Sequence, residues 1–307
     1  MISRARGAQL GAIAITAGAL AVAGCSSSSS HPSAGAKPSG SAPASSSGGT
    51  ARTGGGSLNA AHAVEEAAQQ AQKATSYAAD VTVRTTGTAT STISGTLQQQ
   101  TEPSPLAVAN FSSVTVQGQQ IQGGMQEIVS GSGIYLKMSQ LAKQTGKPWI
   151  EIPASDLSKV SGASFSQLLQ NGSNDPLVQA QMLSSSKNVK KVGTATINGV
   201  PTTEYTGTYP ITAGLAKLPA ASRAKIASQL QAMGLTTEHF TVWLDDQQQV
   251  RKVVSSAKGT SEQVASTVVV TSVNKPVSVA IPPKSQIATV PASELGGSSS
   301  NSGSTTS

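Results

Sequence analysis

The chain has 307 residues, a formal net charge of +7 and only 11% charged residues, and its basic side chains are scattered, with Lys190-Lys191 and Arg251-Lys252 the only adjacent pairs. With no basic stripe carrying interleaved aromatics, the composition argues against nucleic-acid binding. Three histidines and one cysteine give no multi-histidine metal site and no internal disulfide, and nine aromatic residues leave any core to be built mainly from Val, Ile, Leu and Thr.

In chain order, Arg4 and Arg6 precede an uncharged, mostly apolar run from Leu10 to Ala23. At roughly 14 residues the run is short of the ~20 needed to span a bilayer, but it suits the apolar region of an export signal. It ends in Val22-Ala23-Gly24-Cys25, which resembles a bacterial lipobox. The resemblance implies cleavage after residue 24 and a diacylglyceryl group on the Cys25 sulfur, so residues 1–24 read as a lipoprotein signal peptide. Without Arg4 and Arg6 the net charge falls to about +5. Residues 25–57 are then a lipidated cysteine and a tether of Ser, Gly, Ala, Pro and Thr, too poor in apolar surface to offset the entropy of ordering. Its r.m.s. span is about 30 Å. The expected location is the extracytoplasmic face of the cell membrane, held by the lipid anchor.

A single domain is expected over 58–292, followed by a Gly/Ser/Thr tail over 293–307. "LNAAHAVEEAAQQAQKATSY" predicts a helix of about five turns, with Leu58, Ala61, Val64, Ala68 and Ala71 on one side. Strand-like runs follow at 78–86, 91–101, 105–117, 120–130, 133–138 and 148–152, separated by glycines at 87, 95, 118, 123–124, 131 and 133. The short gaps favour antiparallel hairpins, since a parallel crossover needs a dozen or more residues. Residues 155–186 read as two short polar helical pieces. "KKVGTATI" and "TTEYTGTY" flank Asn198-Gly199, a strong hairpin signal. "LPAASRAKIASQLQAMG" predicts a helix with Pro219 near its start and Gly234 past its end. Strands at 236–245, 249–256 and 262–273 close the domain.

This order predicts an α+β fold, a strongly curved antiparallel sheet with helices covering its concave face. The succession of "IYLKM…GKPWIEI", "DPLVQAQML", "VKKVGTATINGVPTTEYTGTY", "LPAASRAKIASQLQAMG" and "FTVWLDDQQQVRKVV" over most of residues 60–285 resembles actinobacterial LolA-like lipoproteins related to the LppX/LprA/LprF/LprG family. The resemblance implies a half-barrel closed by helices over an apolar cavity, and an acylated lipid or glycolipid ligand carried in the cell envelope. The cavity candidates are Ile93, Leu97, Ile128, Ile134 and Leu136 on strands, and Leu215, Ile226 and Leu230 on covering helices. A second reading is a sensor or scaffold that binds an envelope protein partner.

Enzymatic readings find little support. His239 and Asp245 lie six residues apart along a strand, about 20 Å, too far for an orienting hydrogen bond. Asp245-Asp246 reads more simply as a polar turn. Glu65 and Glu66 are adjacent on a helix and diverge. No Gly-x-Ser-x-Gly elbow and no phosphate-binding glycine loop occurs. No catalytic residue, metal ligand or cofactor is expected.

Overall fold

Alternation in the Thr/Val-rich runs becomes one long sheet in the computed structural model, which describes residues 55–88, 90–155, 176–217, 223, 227, 230 and 233–289. Helix α1 (Gly55–Gln72) is followed by β1 (Ser76–Gly87), β2 (Ser91–Gln100), β3 (Leu106–Val116), β4 (Gln119–Gln120), β5 (Met125–Ser130) and β6 (Gly133–Met138). Then come α2 (Ser139–Thr145), β7 (Trp149–Pro153), α3 (Pro176–Leu183), β8 (Lys190–Ile197), β9 (Val200–Pro210) and α4 (Ile211–Leu215). The last elements are β10 (Thr237–Leu244), β11 (Val250–Lys258), β12 (Glu262–Val273), a 3₁₀ turn and β13 (Ile287–Thr289). The strands line up as β13-β7-β6-β5-β3-β2-β1-β12-β11-β10-β9-β8, with β4 beside β3. Every pairing is antiparallel except β13 with β7. Among the described residues β8 and β13 are free edges, so the sheet is open. Lys190 and Lys191 stand exposed on the β8 edge, where charge discourages pairing with another chain.

Local chemistry accounts for the boundaries. Asn198 and Gly199 both take left-handed φ (49° and 80°), the backbone that a two-residue β8–β9 hairpin needs. The run expected at 120–130 divides because Gly123 and Gly124 also have positive φ (80° and 65°), which interrupts the ladder before Met125. Gly95, a break glycine within the run expected at 91–101, lies inside β2 beside a bulge against β3. A side chain there would collide with the Asn110 carbonyl. Helix α1 stops at Gln72 rather than near Tyr77, because Ser76 and Tyr77 already pair with β2. Helices α2 and α4 are too short for a 3.6-residue pattern to mark. The three-residue β13 depends on a parallel partner distant in sequence. Of the helix expected over 218–234, Arg223, Ala227 and Leu230 are described and helical and Met233 and Gly234 are described as a turn, while residues 156–175 of the helical pieces expected over 155–186 lie outside the described residues.

One face of the sheet receives α1, α3 and α4. Ala60, Ala63, Val64, Ala67 and Ala71 of α1 and Leu183 of α3 join Ala79 and Val81 (β1), Val242 (β10), Val253 (β11) and Val268 (β12) in a single core. The alanines let α1 lie close. On the opposite face the segment after β12 returns across β3, β5 and β6, laying Val277, Val279 and Ile287 against Val108, Ile128 and Tyr135. Two polar ties fasten it: Gln100 Oε1 accepts from the Val277 amide (3.1 Å), and Lys147 Nζ donates to the Ser285 carbonyl (2.7 Å).

The β10–β11 turn is organised by Asp245. Oδ1 accepts from the amides of Gln247 (3.0 Å) and Gln249 (2.8 Å), and Oδ2 is held by the Arg251 guanidinium at 2.6–2.7 Å. Asp245→Ala leaves the guanidinium and two amides without their acceptor and should cost about 3 kcal/mol. Leu183→Ala, at a side chain 1% exposed, should cost about 2–5 kcal/mol. Urea midpoints of the two variants check both values.

Candidate functional site

Cross-strand partners share a face of a sheet, so the register sorts the candidates. Ile150 (β7), Leu136 (β6), Glu127 (β5), Ala109 (β3), Leu97 (β2) and Ala79 (β1) stand opposite one another in file. Ala79 belongs to the core under the helices, so the whole file lies on the helix side. A second file, Ile152, Ile134, Val129, Ala107, Gln99 and Tyr77, runs beside it. Tyr77 donates to Gln99 Oε1 at 3.1 Å, which satisfies both buried polar groups. A third, Met138, Met125, Phe111, Gly95 and Val81, lies on the other flank.

The two halves of this face differ. Over β1 and β9–β12 most apolar side chains are buried in the core that α1, α3 and α4 share, with Val83 and Val264 half-buried at its margin. Over β2–β6 the side chains of Ile93, Leu97, Ala107, Val129, Ile134, Leu136 and Met138 stay only half-buried. Ile93 packs with Ala109, Phe111, Val114 and Met125, and Leu97 touches both that group and the main core. These half-buried residues form an apolar strip on the side where the helices sit.

Four strand candidates, Ile93, Leu97, Ile134 and Leu136, therefore share a face. Ile128 does not. It pairs with Tyr135, so its side chain points to the opposite face, where it packs beneath the C-terminal segment. On the helices, Leu215 is buried in the main core and Leu230 packs against it. Ile226 and Cys25 lie outside the described residues.

Two acidic residues on the helix-side face escaped the sequence reading. Glu238 (β10) is hydrogen-bonded to Tyr209 and Ser255. Burial pushes its carboxyl up despite those two contacts, and burial, then the Glu238 charge and hydrogen bond, pushes the Tyr209 phenol up as well. Ser255 continues the polar track to Ser266, with hydroxyls 3.0 Å apart. Glu127 stands in the first file, half-buried, and desolvation alone raises its carboxyl. The signal was present in the sequence: Glu127 has the same parity as Met125 and Val129.

His239 and Asp245, set aside as a catalytic pair on spacing, are apart in the structure. His239 is exposed, while both Asp245 oxygens are engaged in the β10–β11 turn. His62 lies exposed on α1, 3.5 Å from Glu66. Among the described residues no three His, Cys, Asp or Glu side chains gather closely enough to hold a metal, and no helix is long and apolar enough to cross a membrane. A pocket of about 390 Å³ opens where β3, β5 and β6 meet α2, lined by Phe111, Met125, Met138 and Ala142 with Gln126 and Lys137.

Comparison with known proteins gives the following. No family model matches the chain. An uncharacterised 31.2 kDa protein of Streptomyces griseus is 36% identical over 110 residues, which make up 34% of this chain and 35% of that protein. The matched region thus spans about a third of that relative. Among solved structures, the Mycobacterium tuberculosis lipoprotein LppX is 22% identical with a TM-score of 0.41, over 73% of this chain and 99% of LppX. LprF from Mycobacterium bovis is 13% identical with a TM-score of 0.44, over 73% of this chain and 97% of LprF. A LolA superfamily protein from Nitrosomonas europaea is 8% identical with a TM-score of 0.25, over 72% of this chain and 94% of that one. The chain is similar to all three. Its open, mostly antiparallel sheet with few helices matches the half-barrel expected from the sequence.

The two raised carboxyls set a pH dependence. Both are protonated in the folded and the unfolded chain below the ordinary carboxylate range, so their contribution to stability is fully present there. As pH rises the unfolded chain ionises first, and that contribution is lost up through the raised folded-state values. Urea unfolding from pH 4 to 8 should show stability falling in this window. Replacing Glu127 and Glu238 together with Gln should flatten the fall.

Proposed function

We propose that this protein is a membrane-anchored lipoprotein of the cell envelope that binds or carries an acylated lipid or lipoglycan between its sheet and its helices. The observation that carries this reading is the half-buried apolar strip of Ile93, Leu97, Ile134 and Leu136, continuous with the core under the helices. A folded protein normally buries such a strip, and an acyl chain laid along it would complete the burial. Each methylene so hidden contributes about 0.8 kcal/mol, so ten give roughly 8 kcal/mol before the cost of association. Affinity of this kind needs no polar recognition. Residues 1–24 act as the export signal, Cys25 carries the lipid anchor, and residues 26–57 supply the reach from the membrane.

The test is native mass spectrometry, with lipid extraction, of the chain from residue 25 onward carrying Cys25→Ser. The expected result is copurifying or readily added acyl lipid, with Leu97→Asp and Leu136→Asp each lowering occupancy at least tenfold while the fold is kept. A chain that holds no lipid and takes up none removes the carrier reading and leaves the partner-binding scaffold.

A further inference from the structure

The file Ile150–Leu136–Glu127–Ala109–Leu97–Ala79 crosses six strands and contains a single ionisable side chain. Glu127 has apolar residues directly opposite it on both sides, Ala109 and Leu136. The flanking files bring it no charge: Ala107, Val129 and Ile134 lie on one side, Phe111, Met125 and Met138 on the other. Lys137, paired with Gln126 across β5 and β6, is on the opposite face, 5.7 Å from the centre of the Trp149 ring. The core-facing side of α1 is alanine and valine. Among the described residues, then, no titratable group on β2, β3, β6, β7 or α1 faces Glu127, and its carboxyl makes no hydrogen bond or ion pair.

Glu238 supplies the contrast. It sits on the same face and has Tyr209 and Ser255 as partners. A half-buried carboxyl that is desolvated by apolar neighbours and has no partner is costly, because it loses much of its hydration and gains no hydrogen bond in return. A strand that only had to pack would carry Leu or Val at position 127.

We propose that Glu127 selects the ligand, hydrogen-bonding an ester or hydroxyl oxygen of a neutral acylglycerol in the strip and disfavouring lipids whose headgroup is negatively charged. This rests on the lipid-binding reading above and deepens it. Desolvation raises the carboxyl, favouring its neutral form, which donates to a carbonyl oxygen and accepts from a hydroxyl. An anionic headgroup in the same place would meet either an ionised carboxylate or an uncompensated desolvation cost. The acyl chains supply affinity and Glu127 supplies the choice.

The experiment is a competition between dioleoylglycerol and dioleoyl phosphatidic acid for the chain from residue 25 onward bearing Cys25→Ser, read by native mass spectrometry. The unsubstituted site should favour dioleoylglycerol. Glu127→Gln, whose amide still donates, should keep that preference and abolish the loss of dioleoylglycerol affinity as pH rises through the raised carboxyl value. Glu127→Leu should reduce the preference about fivefold, the loss of one hydrogen bond, and Glu127→Lys should reverse it. Thermal melts check the fold; Glu127→Leu should melt no lower than the parent, since it removes a desolvated acid. A preference unchanged in Glu127→Leu and Glu127→Lys overturns the assignment while leaving lipid binding intact. Failure of the parent to take up either lipid overturns both.

Discussion

An open sheet has one face that must be kept from water and two edges that cannot close on each other. The rest of this structure follows from how that face is covered. Over β1 and β9–β12, α1, α3 and α4 seal it with alanine, valine and leucine. Over β2–β6 the same face buries Ala109, Phe111 and Met125 but leaves Ile93, Leu97, Val129, Ile134 and Leu136 partly accessible. Coverage and exposure are thus divided along the sheet. The low aromatic content fits this division, because aliphatic side chains leave a surface that another hydrocarbon can extend.

Polar groups on the covered side follow a consistent rule with one exception. Tyr77 is joined to Gln99, Ser255 to Ser266, and Glu238 to Tyr209 and Ser255. Each pair lies between adjacent strands, so these contacts pin register as well as satisfying the groups involved. Glu127 breaks the rule, and it does so within the half that is least sealed.

Much of the sheet could be read directly from the residues. "GIYLKM" alternates so cleanly that Ile134 and Leu136 fall on one face without any structure, and Asn198-Gly199 fixes its hairpin. Ile128 shows what pattern alone misses. Its side depends on register across the Gly131-Ser132 turn, which pairs it with Tyr135 instead of aligning it with Ile134. The division of 120–130 likewise turns on two successive positive-φ glycines, which a run of β-formers conceals. Helices α2 and α4 and strand β13 are set by tertiary contacts, so short local windows carry too little of their information. Glu127 was legible by parity, yet its meaning needed the knowledge that both cross-strand neighbours are apolar.

The seam between β1 and β12 has its own consequence for how the molecule is made. Tyr77 pairs with Val273 and Gly87 with Glu262, so the middle of the sheet joins the two ends of the strand sequence. The flanking blocks, β2–β7 and β8–β12, are built mostly from neighbours in the chain, whereas the central join waits for nearly all of it. Contacts of such long sequence separation form slowly. A chain synthesised N-terminus first therefore begins as two half-sheets with unsatisfied inner edges. Its final shape is completed only once the second half has emerged.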